Sequence, residues 1–147
     1  GVAAEVSWFW FQGRWIGRLS PHAWLVVAAL VTALRFALTA CFGALPAVLV
    51  LLQCSHALTF AAQHSACIAV ITRHFPGRFR GRGQALYAVL GYGASGVVGG
   101  LAGGALSQAW GFAAVFWGGA LAGALGAGCA ARAWRLAGAG PARAATV

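Results

Sequence analysis

The sequence predicts an all-α integral membrane protein, a bundle of spanning helices, and three observations predict it. Hydrophobic residues make up 61% of the 147 and charged residues only 7%, against roughly 25% charged in an ordinary soluble domain. So little polar surface cannot cover a water-facing exterior, and disorder would need low hydrophobicity. Four apolar stretches each approach the ~20 residues that cross a hydrocarbon core about 30 Å thick. The formal charge is +9, with ten Arg, no Lys and Glu5 as the single acid, and the arginines fall in alternate loops.

The elements follow in order. A short apolar piece occupies about 1–12 and covers half a bilayer at ~1.5 Å rise per residue. It lacks the basic start and cleavage site of a signal peptide. The chain has no Met and begins at Gly1, so the piece reads as the end of a helix in a fragment. Full spans are expected at about 22–42, 46–71, 84–106 and 112–131. Residues 1–135 then form one transmembrane helical bundle, and 136–147 a cytoplasmic tail.

The loops set the orientation. Arg14 and Arg18 lie in the first loop, Arg73, Arg78, Arg80 and Arg82 in the third, and Arg132, Arg135 and Arg143 after the last span. The connections 41–46 and 107–111 carry none. Basic and bare loops alternate as the positive-inside rule requires, which puts the arginine-rich side and the C-terminus in the cytoplasm. The run Gly77-Arg78-Phe79-Arg80-Gly81-Arg82-Gly83 could instead be read as an RNA-binding segment. Topology accounts for its charges without a nucleic-acid partner, and Pro76 with these glycines would break the helix before the next span.

Small residues mark helix packing. Gly91, Ser95, Gly99 and Gly103 recur every fourth position, as do Gly96, Gly100 and Gly104, and Gly119 with Gly123 repeats the device. Spacing of four lines one helix face and lets backbones approach, the main source of association in lipid. Static packing and sliding between helices both fit this pattern.

Polar groups inside the spans point to function. A central charge costs about 2.5–3.5 kcal/mol on insertion scales, so Glu5 and Arg35 should face a wet interior or a partner. They could pair with each other, or each with a group elsewhere in a longer protein. In the span from Pro46, the residues Gln53, His56, Thr59, Gln63 and His64 fall within an arc about 140° wide at ~100° per residue, together with Phe60 and Cys67. Such a stripe faces a cavity or a polar neighbour. His56 lies roughly 15 Å in from Pro46. A histidine titrates near physiological pH and suits proton-linked work, although a His that only bonds a neighbouring helix is the plainer alternative. His22 and His74 fall at the interface.

Other chemistry finds no support. Cys41, Cys54, Cys67 and Cys129 have neither metal nor redox spacing and read as small apolar fillers. Most of the seven Trp lie near span ends, as interface anchors do; Trp8 and Trp10 could also line a pocket. No P-loop, dinucleotide fingerprint, Ser-His-Asp order or zincin motif occurs, and one carboxylate excludes paired-acid hydrolysis. No enzyme activity, metal or cofactor is expected.

Taken in order, Ala4-Glu5, the basic loop Gly13-Arg14-Trp15-Ile16-Gly17-Arg18, Arg35, Leu52-Gln53-Cys54-Ser55-His56, Arg80-Gly81-Arg82-Gly83-Gln84-Ala85-Leu86-Tyr87 and the glycine-rich helix resemble the C-terminal half of a major facilitator superfamily transporter. The resemblance spans essentially the whole chain, from the eighth helix (partial) to the twelfth of a twelve-helix bundle. It is to the lactose-permease-like branch that includes the bacterial phenylpropionate permeases. The resemblance implies roles. Glu5 matches an eighth-helix acid that binds substrate and connects to the proton site. Arg35 matches a ninth-helix Arg that helps deprotonation, and His56 a tenth-helix His between substrate and proton sites. Thr59 stands where the sugar permease carries its proton-carrying carboxylate, a departure from that mechanism. Ser95 stands about where it has a Lys.

The expectation is therefore proton-coupled secondary transport of a small solute, an aromatic carboxylate first and a nucleoside or sugar second. The proton is the coupling ion and no other cofactor is involved. Glu5, Arg35 and His56 would couple proton and substrate, with Gln53, Thr59, Gln63 and His64 as a possible substrate cavity. The lipid bilayer and a missing N-terminal half of the same transporter would be the partners. The alternative is a small membrane scaffold or interaction protein, in which His56→Ala and Glu5→Gln leave function intact. A membrane-embedded enzyme would need a further catalytic constellation.

Overall fold

A computed structural model describes residues 2–14, 16–56 and 58–139. Among them are helices and turns and no strand. The helices are α1 (Val2–Phe11), α2 (Pro21–Phe42), α3 (Pro46–Cys54), α4 (Gln63–His74), α5 (Arg80–Ala88), α6 (Ser95–Trp110) and α7 (Phe112–Ala139). Two π-helical turns, Leu58–Ala62 and Val89–Ala94, lie between α3 and α4 and between α5 and α6. Four stretches are long and apolar enough to cross a membrane: Pro21–Phe42, Pro46–His74, Gly77–Trp110 and Phe112–Gly138.

Local chemistry sets the starts. Ser20 caps α2, its Oγ accepting from the Ala23 amide at 3.2 Å, and Pro21 takes the first turn, where its missing N–H costs nothing. Pro46 does the same for α3. Span ends run past the expected ones. The second full span continues to His74, the third begins at Arg80 and ends at Trp110, and the last continues to Ala139, into the expected tail. The apolar run marks only the part inside lipid; helix hydrogen bonding continues into the interface, where arginines reach water along their stems. Residues 140–147 lie outside the described residues.

Gly81 and Gly83 do not break the chain as expected; both lie inside α5. Gly83 is buried, and a Cβ there would sit 2.8 Å from Ile71 Cγ2 and from the Phe75 ring. Its lack of a side chain lets α5 fold back onto the end of α4, and that contact outweighs its poor helix propensity. The break is left to Phe75, Pro76 and Gly77, which has φ +57°.

The most extensive contact joins α2 and α7. Gly119 faces the Phe36 ring, and Gly123 faces the Ala33 backbone. The Phe36 and Phe116 rings lie 6.3 Å apart. The longer small-residue run behaves differently: nothing lies within 4 Å of a Cβ built on Gly96, Gly99, Gly100 or Gly104, and Gly103 meets only Val115. A second cluster gathers Trp24, Ala62 and Ala66 with Trp8, Ile16 and Leu25 around it. Trp24 is only 9% exposed, donates Nε1–H to the Ile16 carbonyl at 2.9 Å and meets the Trp8 ring edge-on. It is a core residue rather than an interface anchor. Gln12 accepts from the Ser65 hydroxyl at 2.8 Å and ties the first segment to α4.

A single residue, Gly111, turns α6 into α7 at φ 81° and ψ 176°. That region is open essentially to glycine alone. Gly111→Ala is expected to destabilise the protein by about 1–3 kcal/mol, read as a lower thermal midpoint in detergent. An unchanged midpoint would mean that this turn is not formed.

Candidate functional site

The site begins in the middle of α2. Arg35 lies within an apolar span, where a guanidinium needs neighbours. Its NH1 lies 3.2 Å from Nδ1 of His56, 21 residues on, and its charged carbon lies 5.0 Å from the centre of the Phe36 ring. Its Nε is buried and has no hydrogen-bond partner among the described residues. Arginine only donates, so Nδ1 must be the acceptor, and this contact holds His56 without a proton on that nitrogen.

His56 sits where the second full span departs from regular helix. Ser55 forms a turn after α3, and the π-helical turn Leu58–Ala62 follows. Ala61 and Ala62 are fully buried, so small side chains admit α1 and α2 to this wide turn. Such turns leave backbone groups short of regular bonding and often accompany functional sites. The Thr59 side chain is 6% exposed, and its hydroxyl donates to the His56 carbonyl at 3.1 Å. Past it the rings of His56, Phe60 and His64 form a column. Neighbouring centres are 5.7 and 6.4 Å apart, and the planes are tilted by only 15° and 13°.

The column ends at two tyrosines. His64 Nδ1 lies 2.9 Å from the Tyr92 hydroxyl and 3.4 Å from that of Tyr87, and the two hydroxyls are 3.1 Å apart. A small cavity of about 100 Å³ opens there, lined by Thr59, Phe60, Gln63, His64, Tyr87, Gly91 and Tyr92.

Of the expected site residues, Arg35 and His56 touch, while Thr59, Gln63 and His64 share the small cavity. Gln53 is exposed on α3 and does not line that cavity. The side chain of Glu5, and with it the expected Glu5–Arg35 pair, lies outside the described residues. Sequence reasoning missed Tyr87 and Tyr92 as site residues. They are the only two tyrosines and stand five apart, which is about 140° out of phase on an α-helix. The π-helical turn Val89–Ala94 has the i→i+5 bonding that brings them to one side, with ring centres 5.4 Å apart. The only available signal was their number and spacing.

A basic residue in hydrogen-bond contact with an imidazole inside a bundle of spanning helices is an arrangement that membrane transport uses. No curated protein and no solved structure gives a significant match. The MFS_1 like family does match, over residues 1–117, and so takes in α1 through the first turns of α7 and both halves of the Arg35–His56 contact. The chain belongs to that family and is a membrane protein of the major facilitator transporter type.

Proposed function

We propose that the chain serves proton-coupled symport of a small solute, an aromatic carboxylate before a nucleoside or sugar, through the bacterial inner membrane. The observation that carries this reading is the 3.2 Å contact between Arg35 and His56. A carboxylate is the natural competitor for a guanidinium, which it binds through two parallel hydrogen bonds. When it takes Arg35, the Arg35–His56 contact is broken, which favours a proton on His56. Anion and proton then enter together, and each favours the binding of the other. Phe60, stacked on His56, offers a ring face to an aromatic solute. Glu5, three residues before Trp8 on α1, would exchange protons with His56. Gln53 and Gln63 would offer neutral hydrogen bonds.

Alternating access would require an N-terminal half of the same transporter as partner, with binding between the halves near the midplane. The arginine-rich loops support a cytoplasmic C-terminus. A scaffold role is not favoured by family membership.

The test is uptake of a radiolabelled phenyl-substituted carboxylate by cells making the full-length protein, at external pH 5.5 to 8. Uptake is expected to rise as external pH falls and to collapse when an uncoupler removes the proton gradient. His56→Gln should remove that pH dependence. Wild-type uptake that ignores both pH and uncoupler would rule out proton coupling.

A further inference from the structure

His64 on α4, Tyr87 on α5 and Tyr92 on the π-helical turn Val89–Ala94 make a closed triangle of polar atoms, with sides of 2.9, 3.1 and 3.4 Å. The three groups form one chain: His64, Tyr92, Tyr87. We propose that this chain is a second proton-bearing site, separate from Arg35–His56, whose hydrogen bonds reverse direction when His64 takes up a proton.

The donor inventory permits the reversal. Neutral His64 can accept at Nδ1 while its other nitrogen keeps the ring proton. Tyr92 then donates to His64, and Tyr87 donates to Tyr92. A proton delivered by water to Nδ1 turns that acceptor into a donor. Now His64 donates to the Tyr92 oxygen and Tyr92 to the Tyr87 oxygen, whose own hydrogen turns to the adjoining cavity. Both hydroxyls rotate and neither loses its proton. The only bond made is N–H on His64, and the only bond broken is O–H of the delivering hydronium.

The surroundings fit that role. The adjoining cavity of about 100 Å³ is well above the roughly 10–15 Å³ that one water needs, enough to bring a proton in. Gly91 lets the Tyr87 ring lie close, 3.2 Å from where a Cβ would be. The titratable groups that face His64 among the described residues are His56 across the Phe60 ring, and Tyr87 and Tyr92 on the opposing segment. None of these is a carboxylate, so among the described residues His64 meets only groups that both donate and accept. The triangle also ties the second and third full spans together beside their π-helical turns, so a change in its direction is felt where both helices are least regular.

The site rests on the transport reading only for its use, not for its chemistry, and the experiment separates the two. Nitrogen-15 histidine NMR of the full-length protein in lipid nanodiscs, from pH 4 to 9, should show His64 titrating. The signal is assigned by its loss in His64→Gln. Tyr92→Phe should lower the His64 midpoint by about one pH unit, because the bond from charged imidazole is roughly twice as strong as the neutral one it replaces. Tyr87→Phe should lower it by less, and this variant still decides the matter if Tyr92→Phe does not fold. A His64 that stays in one state across the range, or whose midpoint is indifferent to the tyrosine hydroxyls, would overturn the proposal. A His64 that titrates as expected in a protein whose uptake ignores pH would sustain this site and defeat proton coupling.

Discussion

Arg35→Gln is expected to abolish uptake of the carboxylate solute while leaving the protein in the membrane. Glutamine keeps hydrogen-bonding capacity but removes the charge, so neither the solute anion nor the His56 contact is held as before. Truncating one partner of a buried, hydrogen-bonded charge contact costs about 2–5 kcal/mol, which sets the loss at roughly 30-fold or more. Arg35→Lys keeps the charge but loses the planar fork and its reach, so partial activity is expected. The measurement is initial uptake at matched membrane expression. The readout that a merely structural role would not move is the pH profile: Arg35→Gln should flatten it, because His56 no longer has its nitrogen blocked in the empty state. Wild-type uptake by Arg35→Gln would remove Arg35 from the coupling site altogether.

Gly123→Ala carries the largest expected effect on stability. A Cβ at this position would lie 2.9 Å from the Ala33 amide nitrogen and 3.1 Å from its Cα. Those are backbone atoms of α2 and cannot rotate away, so the two helices must separate along their main contact. Overpacking of this kind costs about 1–3 kcal/mol. Gly126→Ala on the same helix is the control, since nothing lies within 4 Å of its Cβ. There alanine is expected to stabilise by up to about 1 kcal/mol through helix propensity alone. Thermal midpoints in one detergent should move in opposite directions for the two variants. Equal midpoints would mean that α2 and α7 do not pack through this face.

The same comparison explains what could be read from residue order. Helix packing through Gly119 and Gly123 was visible as a spacing of four, yet the same spacing at Gly96, Gly100 and Gly104 faces open space among the described residues. Periodicity identifies a face that permits close approach. It does not say whether another helix occupies that face. Gly83 shows the converse: read as a breaker, it is a contact point inside α5, because Ile71 and Phe75 lie against it.

By itself the sequence determined the class of this protein: apolar stretches of bilayer length, with arginines in alternate loops, admit only a bundle of spanning helices. It also marked which polar groups fall within the apolar stretches, Arg35, His56 and His64 among them, where lipid makes a partner necessary. Tertiary structure decided which of them meet. Arg35 and His56 are 21 residues apart, and contact between two helices depends on crossing angle and depth, which a one-dimensional pattern does not carry. It decided the tyrosine cluster as well. A reading at 100° per residue sends Tyr87 and Tyr92 to different faces, and the five-residue π-helical spacing that unites them arises only when the surrounding segments are packed.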